Sequence, residues 1–478
     1  MLACLAQFMV ILDVSVVNVA LPSIRHALHF SESGLQWVVN AYTVTFAGFL
    51  LLGGRAADLL GRRRVFVWGL VIFGLASLGG GFSDSRTMLI VMRLAQGFGG
   101  AVIAPASLAI LTTTFTEPKE RNRAVGIWSA MGGAGGAAGI LAGGLLTQLL
   151  GWRWILFVNV PIGLVAAVLS QRLLLDGRNP HAQRSFDLFG ALAATVGLSL
   201  LVFGIVRTDT TGWGSGLTLA AIIGGVAIVG LFVLIEARFA SAPLMPLRLF
   251  SSRSLSAANV AVMLTGASTF PMWFFFTLYL QEVRHYSPIH AGVIFLPMTI
   301  MIIIGSNAAS RLAFRFGPRL VVAVGMAMVA VGLYLFSLVG IGSTYLGSML
   351  IPGVLAGLGM AIALVPSVIA ATSGVAPREA GVASGLANTA RLFGGALGLA
   401  ILATLASTRT AHDLRHHTFV ADALNRSLVD GFQFAFVFCA IVAAVGAVVA
   451  VTLMPATIRR AAAPEAAPDG AALAAVEV

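Results

Sequence analysis

Long apolar runs, each broken by a short polar or glycine- and proline-marked link, recur along the chain from Leu2 to Leu453. A bilayer-crossing helix takes about 20 such residues. Windows of that length predict about fourteen spans. The first set covers 2–24, 36–54, 65–83, 87–114, 124–149 and 153–172. Two more follow at 187–206 and 216–236, and a last set at 255–280, 289–309, 319–339, 343–370, 380–406 and 430–454. The runs are continuously apolar rather than alternating, so helices and not a β-barrel must carry them. The expected fold class is an all-α membrane protein.

The polar links carry an internal repeat. "GRAADLLGRRRV" (Gly54 to Val65) is echoed 256 residues later by "SRLAFRFGPRLV" (Ser310 to Val321), with Gly61 over Gly317 and Arg63 over Arg319. "RAVGIWSAMGGAGGAAG", at the start of the fifth span, is echoed at an offset of 255 by "REAGVASGLANTARLFG" in the thirteenth. Each match skips eight spans. The chain therefore parses into an N-terminal six-helix bundle (1–172), a linker with two inserted helices (173–253) and a C-terminal six-helix bundle (254–455). Repeated halves of this kind mark transporters that rock one bundle against the other around a midplane site. The Ala/Pro-rich tail 456–478 is expected to be disordered and cytoplasmic. The first run lacks a basic start and a small-residue cleavage site, so it is expected to stay attached.

Composition agrees with the pattern. Of 478 residues 58% are hydrophobic and 10% charged, against about 25% charged in a soluble domain. The net charge of +11 does not point to nucleic acid, because the basic residues divide by side. Nineteen fall in alternate loops, among them Arg55, Arg62, Arg63, Arg64, Lys119, Arg172, Arg178, Arg184, Arg311, Arg378 and Arg459, and eight fall in the opposite loops. The positive-inside rule then puts both termini in the cytoplasm of a multi-pass cytoplasmic-membrane protein. Cys4 and Cys439 lie inside spans and suggest neither a disulfide framework nor a zinc site. His412, His416 and His417 sit in a polar external link without Cys or a carboxylate cluster, so no metal is assigned. No P-loop, strand-to-helix dinucleotide fingerprint or nucleophile–base spacing appears, so neither a cofactor nor an enzymatic role is expected.

One acid stands deep inside a span. Asp13, in "ILDVSVVNVALP", lies near the middle of the first helix, where an isolated charge costs about 2.5–3.5 kcal/mol even on lenient insertion scales. It must face something polar, and an acid beside a movable water pathway can bind and release a proton. Glu282, near an outer helix end, is the only other acid to consider. Arg93 in the fourth span is the natural partner, since a snorkelling guanidinium can reach across the difference in depth. Arg391, in "LANTARLFGG", is the only other cation deep in a span and has no obvious acidic partner; a helix C-terminus, backbone carbonyls or an anionic substrate group could each meet it.

Four stretches resemble the major facilitator superfamily, and within it the fourteen-helix drug:proton antiporter branch. "LDVSVVNVALP" looks like that branch's first-helix signature, "GRAADLLGRRR" like motif A, "RLAQGFGGA" (Arg93 to Ala101) like motif B and "GWRWILFVNVPIG" (Gly151 to Gly163) like the link into the sixth helix. The resemblance implies the major facilitator fold, with proton coupling at Asp13 assisted by Arg93. It also implies a cytoplasmic latch formed by Gly54, Asp58, Gly61, Arg62 and Arg63. In the second-half copy Phe314 replaces the acid. Gly132, Gly136, Gly139 and Gly143, with Gly135, give small-xxx-small spacings where bundles could slide. Ile140 stands where the superfamily's antiporters carry a proline, which leaves the export direction less marked.

Cavity-lining candidates are Asn18, Asn40, Gln96, Trp128, Asn388 and Arg391, with Phe276 and Tyr279 from the run "MWFFFTLYLQ". Aromatic surface with few fixed polar groups suits bulky amphipathic molecules. The expected function is proton-coupled efflux of hydrophobic or amphipathic drugs by alternating access, from a bilayer-embedded monomer. Two alternatives are a dedicated exporter or symporter of one metabolite or lipid and, from a different class, a non-transporting sensor.

Overall fold

The computed structural model describes residues 1–115, 117–174, 187–240, 243–373, 375, 379–416 and 423–456. Arg178, Arg184, Arg378, His417 and the tail from residue 457 lie outside the described residues, as do the side chains of Arg415 and His416. The described residues hold 14 helices long and apolar enough to cross a membrane and no strand. They are α1 (Leu2–Leu28), α2 (Ser33–Leu60), α3 (Arg62–Gly81), α4 (Arg86–Thr114), α5 (Lys119–Leu149), α6 (Trp154–Leu173) and α7 (Leu188–Thr208). The rest are α8 (Gly216–Phe239), α9 (Arg253–Val283), α10 (Pro288–Phe316), α11 (Pro318–Phe336), α12 (Leu346–Thr372), α13 (Gly381–Leu414) and α14 (Ala423–Leu453).

Every expected span is present, and several run on past their apolar stretch. The clearest case is α2, which stays helical through Arg55 and Asp58 to Leu60. The link to α3 is then the single residue Gly61, at φ 104°. Its repeat partner Gly317 joins α10 to α11 at φ 82°. Both turns need a left-handed φ, which glycine alone adopts at little cost, and this explains why the sequence echo keeps these two positions. Elsewhere Ser85, Ser252 and Ser287 cap α4, α9 and α10 by accepting from Met88 N, Leu255 N and His290 N, which satisfies otherwise orphan first-turn donors.

The repeat recurs in the packing. Helix α1 packs on α5, α2 on α4, and α3 on both α4 and α6; eight helices later α9 packs on α13, α10 on α12, and α11 on both α12 and α14. The inserted α7 and α8 pack on each other, and α7 also rests on α2 and α13.

Contacts between the halves are uneven along the membrane normal. At the end away from the arginine-rich links, Gln281 Nε2 donates to Val19 O at 2.7 Å and Glu282 pairs with Arg25 at 3.7 Å and His26 at 3.2 Å. There too Ile289 N donates to Gln148 Oε1 at 3.3 Å, and a Cβ on Gly144 would lie 2.6 Å from Pro288 O. Toward the arginine-rich end, α5 leaves Ile127, Ser129 and Ala130 exposed, and no atom lies within 4 Å of a Cβ placed on Gly126. Helices α4 and α12 pack within their own halves. The α5–α10 seam is tight at the far end and looser at the basic end, where the halves still meet between Leu51 of α2 and Gly385 of α13.

The glycine-rich face of α5 packs mainly inside its own half. Cβ atoms on Gly135, Gly139 and Gly143 would meet backbone of α1 at 2.6, 2.8 and 3.0 Å (Phe8 O, Leu12 O and Val16 O), while Gly132 and Gly136 meet the same helix more loosely, at 3.5 Å or beyond. These glycines seat α5 on α1 inside one half. Toward the other half, α5 comes close to α10 at Gly144 and again at Ile140, whose carbonyl a Cβ on Gly292 would meet at 2.9 Å.

Candidate functional site

Asp13 sits on the buried side of α1, between Leu12 and Val16, with no solvent exposure. Its Oδ2 accepts from Arg93 Nη1 at 2.6 Å, and its Oδ1 accepts from Gln96 Nε2 and Asn159 Nδ2, both at 2.8 Å. Arg93 and Gln96 are one turn apart on α4, and Asn159 opens the main segment of α6. Gln96 Oε1 accepts from the same Arg93 nitrogen at 2.9 Å, and Gln96 Nε2 also donates to Ser77 Oγ of α3 at 2.7 Å. Arg93 Nε donates to Val38 O of α2 at 3.0 Å, and the guanidinium lies 4.5 Å from the centroid of the Tyr42 ring. All five groups around the carboxylate and guanidinium come from the first six helices.

Three N–H donors converging on two carboxylate oxygens fit an ionised acid, which is acceptor-only. The pair is net neutral and fully desolvated, so each charge is tolerable only while the other is present. Two buried polar atoms at its rim, Tyr42 Oη and Asn159 Oδ1, have no hydrogen-bond partner among the described residues. The sequence reading paired Asp13 with Arg93 and took Gln96 for a cavity residue; Asn159, Ser77 and Tyr42 went unassigned. Asn159 had a visible signal, an amide in the apolar run "WILFVNVPIG". Asn159→Leu is expected to lower stability by about 1.5–3 kcal/mol, the range for a hydrogen bond to a charged group. Thermal unfolding in detergent measures it, and the loss should shrink when Asp13 is already Ala.

The other candidates divide by burial. Asn40, Gln96, Phe276 and Tyr279 are at most 2% exposed, which corrects their assignment to a cavity surface in this conformation. Asn40 donates to Gln36 Oε1 at 3.4 Å, Phe276 packs on Phe295 and Phe336, and Tyr279 Oη donates to Gly340 O at 2.7 Å. Asn18, Trp128, Asn388 and Arg391 are partly exposed. Asn18 donates to Val14 O of its own helix and Trp128 Nε1 to Ser107 Oγ, both at 3.0 Å.

The motif A contacts seen among the described residues lie within the N-terminal half. Asp58 pairs with Arg62 at 3.4 Å, within its own turn, and Arg63 Nη1 donates to Leu174 O at the end of α6 at 3.2 Å. A Cβ on Gly54 would be 3.5 Å from Pro105 of α4.

The family model "Major Facilitator Superfamily" matches residues 3–399. The chain is 45% identical over 412 residues to "Cephamycin export protein CmcT" of Amycolatopsis lactamdurans, covering 86% of this chain and 85% of that protein. It is 40% identical over 452 residues to "Puromycin resistance protein pur8" of Streptomyces alboniger, covering 94% and 89%. Among solved structures it resembles a bacterial homolog of the human lysosomal transporter Spinster in an inward-facing, unoccupied conformation, with a TM-score of 0.70, 16% identity and coverage of 94% and 95%. That last likeness concerns fold alone.

Proposed function

The chain belongs to the Major Facilitator Superfamily, and from that premise we propose that it is a proton-driven exporter of amphipathic small molecules across the cytoplasmic membrane. The observation that carries the reading is the sealed Asp13–Arg93 pair with its three converging donors. An acid so placed changes its hydrogen-bonding needs when it takes up a proton, and so biases a two-state assembly.

With the arginine-rich links in the cytoplasm, the closed far end is the outer one and the conformation is inward-facing. Residues 1–172 and 254–455 then move as two bodies, and α7 and α8 ride with them. Asp13 is ionised in this state, having released its proton inward. When the outer side opens, a proton reaches Asp13 and frees Arg93, while a turned Asn159 amide offers Oδ1 to the new hydroxyl. Motif A engages across the halves in that other state, closing the inner side. Each inward proton brings about 2.3 kcal/mol per 100 mV of membrane potential, enough to drive a bound amphiphile outward.

The test is proton flux in inverted vesicles. With lumen acidified and a pH-sensitive dye quenched, at least one of puromycin, lincomycin, ethidium and an amphipathic aryl carboxylate should relieve the quench, and only where the protein is present. A second reading, a dedicated exporter, is favoured by the two relatives above, each named for one compound. A response to one compound alone selects it, and a response to none removes both.

A further inference from the structure

We propose that Arg391 holds the acidic group of the exported compound, so that the transporter selects amphiphiles bearing a carboxylate. The inference rests on the exporter reading and adds the substrate class to it. Arg391 lies on α13 ten residues past Gly381, or about 15 Å along the helix, close to the middle of a hydrocarbon core about 30 Å thick. An anionic lipid headgroup does not come to that depth, so an anion that meets Arg391 there is a solute.

Among the described residues, the acids of the C-terminal half are all engaged elsewhere. Within residues 254–455 the acids are Glu282, Glu379, Asp413, Asp422 and Asp430. Glu282 pairs with Arg25 and His26, Glu379 with Arg248 and Asp430 with Arg409, while Asp413 accepts from Ser427 at 2.9 Å; Asp422 lies outside the described residues. Asp13, the one acid at mid-depth, is used by Arg93. Of the five N–H donors of the Arg391 guanidinium, one is used among the described residues, from Nη2 to Asn388 Oδ1 at 3.0 Å. The guanidinium lies 5.6 Å from the Phe270 ring centroid and is partly exposed. The remaining donors are directed at a ligand rather than at the protein among the described residues.

Placement favours the same conclusion. Leu392, the next residue, is buried in the apolar core of the N-terminal half, and Phe270 and Phe393 pack against that core. Arg391 therefore stands at the seam where the two halves meet. Its backbone is held, because the carbonyl of Arg391 lies against Gly266 of α9 and that of Met263 against Gly394. The cation is presented on a rigid helix rather than a loop, and a planar fork beside an aromatic ring suits an aryl or alkyl carboxylate.

Binding of dansyl-phenylalanine and of its amide to the purified, full-length protein tests this, since the two probes share a body and differ in one charge. The acid should bind roughly tenfold to a hundredfold tighter than the amide, as one charge-assisted contact provides. Arg391→Gln should erase the difference by weakening the acid alone, and Arg391→Lys should keep part of it. Equal affinities in the wild type, or binding of neither probe, overturn the proposal, and so does an equal loss of both in Arg391→Gln. The wild-type comparison stands even if that variant does not fold. Flux evoked by ethidium with no acid preference would sink this inference and leave the exporter reading intact, whereas no flux with any compound would sink the exporter reading.

Discussion

Asp13→Asn abolishes substrate-evoked proton movement in inverted vesicles, down to the level of vesicles lacking the protein, while substrate binding persists. Asparagine keeps the shape of the side chain and removes its ability to alternate between charged and neutral. It also places an amide among Gln96, Asn159 and Arg93, whose donors all point at residue 13, so at least one donor is left facing another. Arg93 becomes a buried cation without a counter-charge, a situation that costs about 3–5 kcal/mol. A purely structural pair would lose stability in the same way, so the single substitution does not decide between the two roles. The double variant Asp13→Asn, Arg93→Gln does. It removes both charges together and should regain much of the thermal stability lost by the single variant, because replacing a whole buried pair is far milder than orphaning one member. Proton movement should stay absent. If flux survives in Asp13→Asn, or returns in the double variant along with stability, the pair is only a tie between helices and the proposed coupling is wrong.

The same site marks how far a sequence can be read. The pairing of Asp13 with Arg93 was legible because charges deep in apolar runs are few, and an acid and a base at mid-depth have little else to meet. The amides were harder. Gln96, Asn40 and Asn159 look alike along the chain, yet Gln96 and Asn159 are bound to the carboxylate and Asn40 to Gln36. Which way an amide faces depends on helix rotation, which a continuously apolar run does not fix. Phe276 and Tyr279 failed for a related reason. Aromatic side chains bury well and also line cavities, and here they interleave with Phe295 and Phe336 or reach Gly340 O. The matched positions of Gly61 and Gly317 were legible, and the left-handed turn that both hold is what the structure adds. Which conformation the halves adopt was not, because one sequence must encode both.

That last point yields a sharp expected result at Gly144. A Cβ there would lie 2.6 Å from Pro288 O and 2.9 Å from Ile289 Cα. Both are backbone atoms at the start of α10, which cannot turn aside as a side chain would. Gly144→Val therefore has to part the outer ends of α5 and α10, and overpacking of this kind costs about 1–3 kcal/mol. The strain falls on the outer-closed state alone, so it shifts the balance between states by roughly 5- to 150-fold toward outer-open, at 1.4 kcal/mol per factor of ten. A cysteine placed at Gln281, whose amide is tied to Val19 O across the same seam, should react quickly with a polar maleimide in Gly144→Val and slowly beside the native Gly144. The native Cys4 and Cys439 are buried and do not compete. Efflux should fall at least as steeply, because the cycle cannot return through the inward-facing state. Gly139→Val supplies the contrast: its Cβ would press on Leu12 O at 2.8 Å, inside one half. That variant should lower the unfolding temperature without raising labelling at position 281. Should Gly144→Val label slowly and transport normally, the seal of the outer side lies elsewhere than at the α5–α10 crossing.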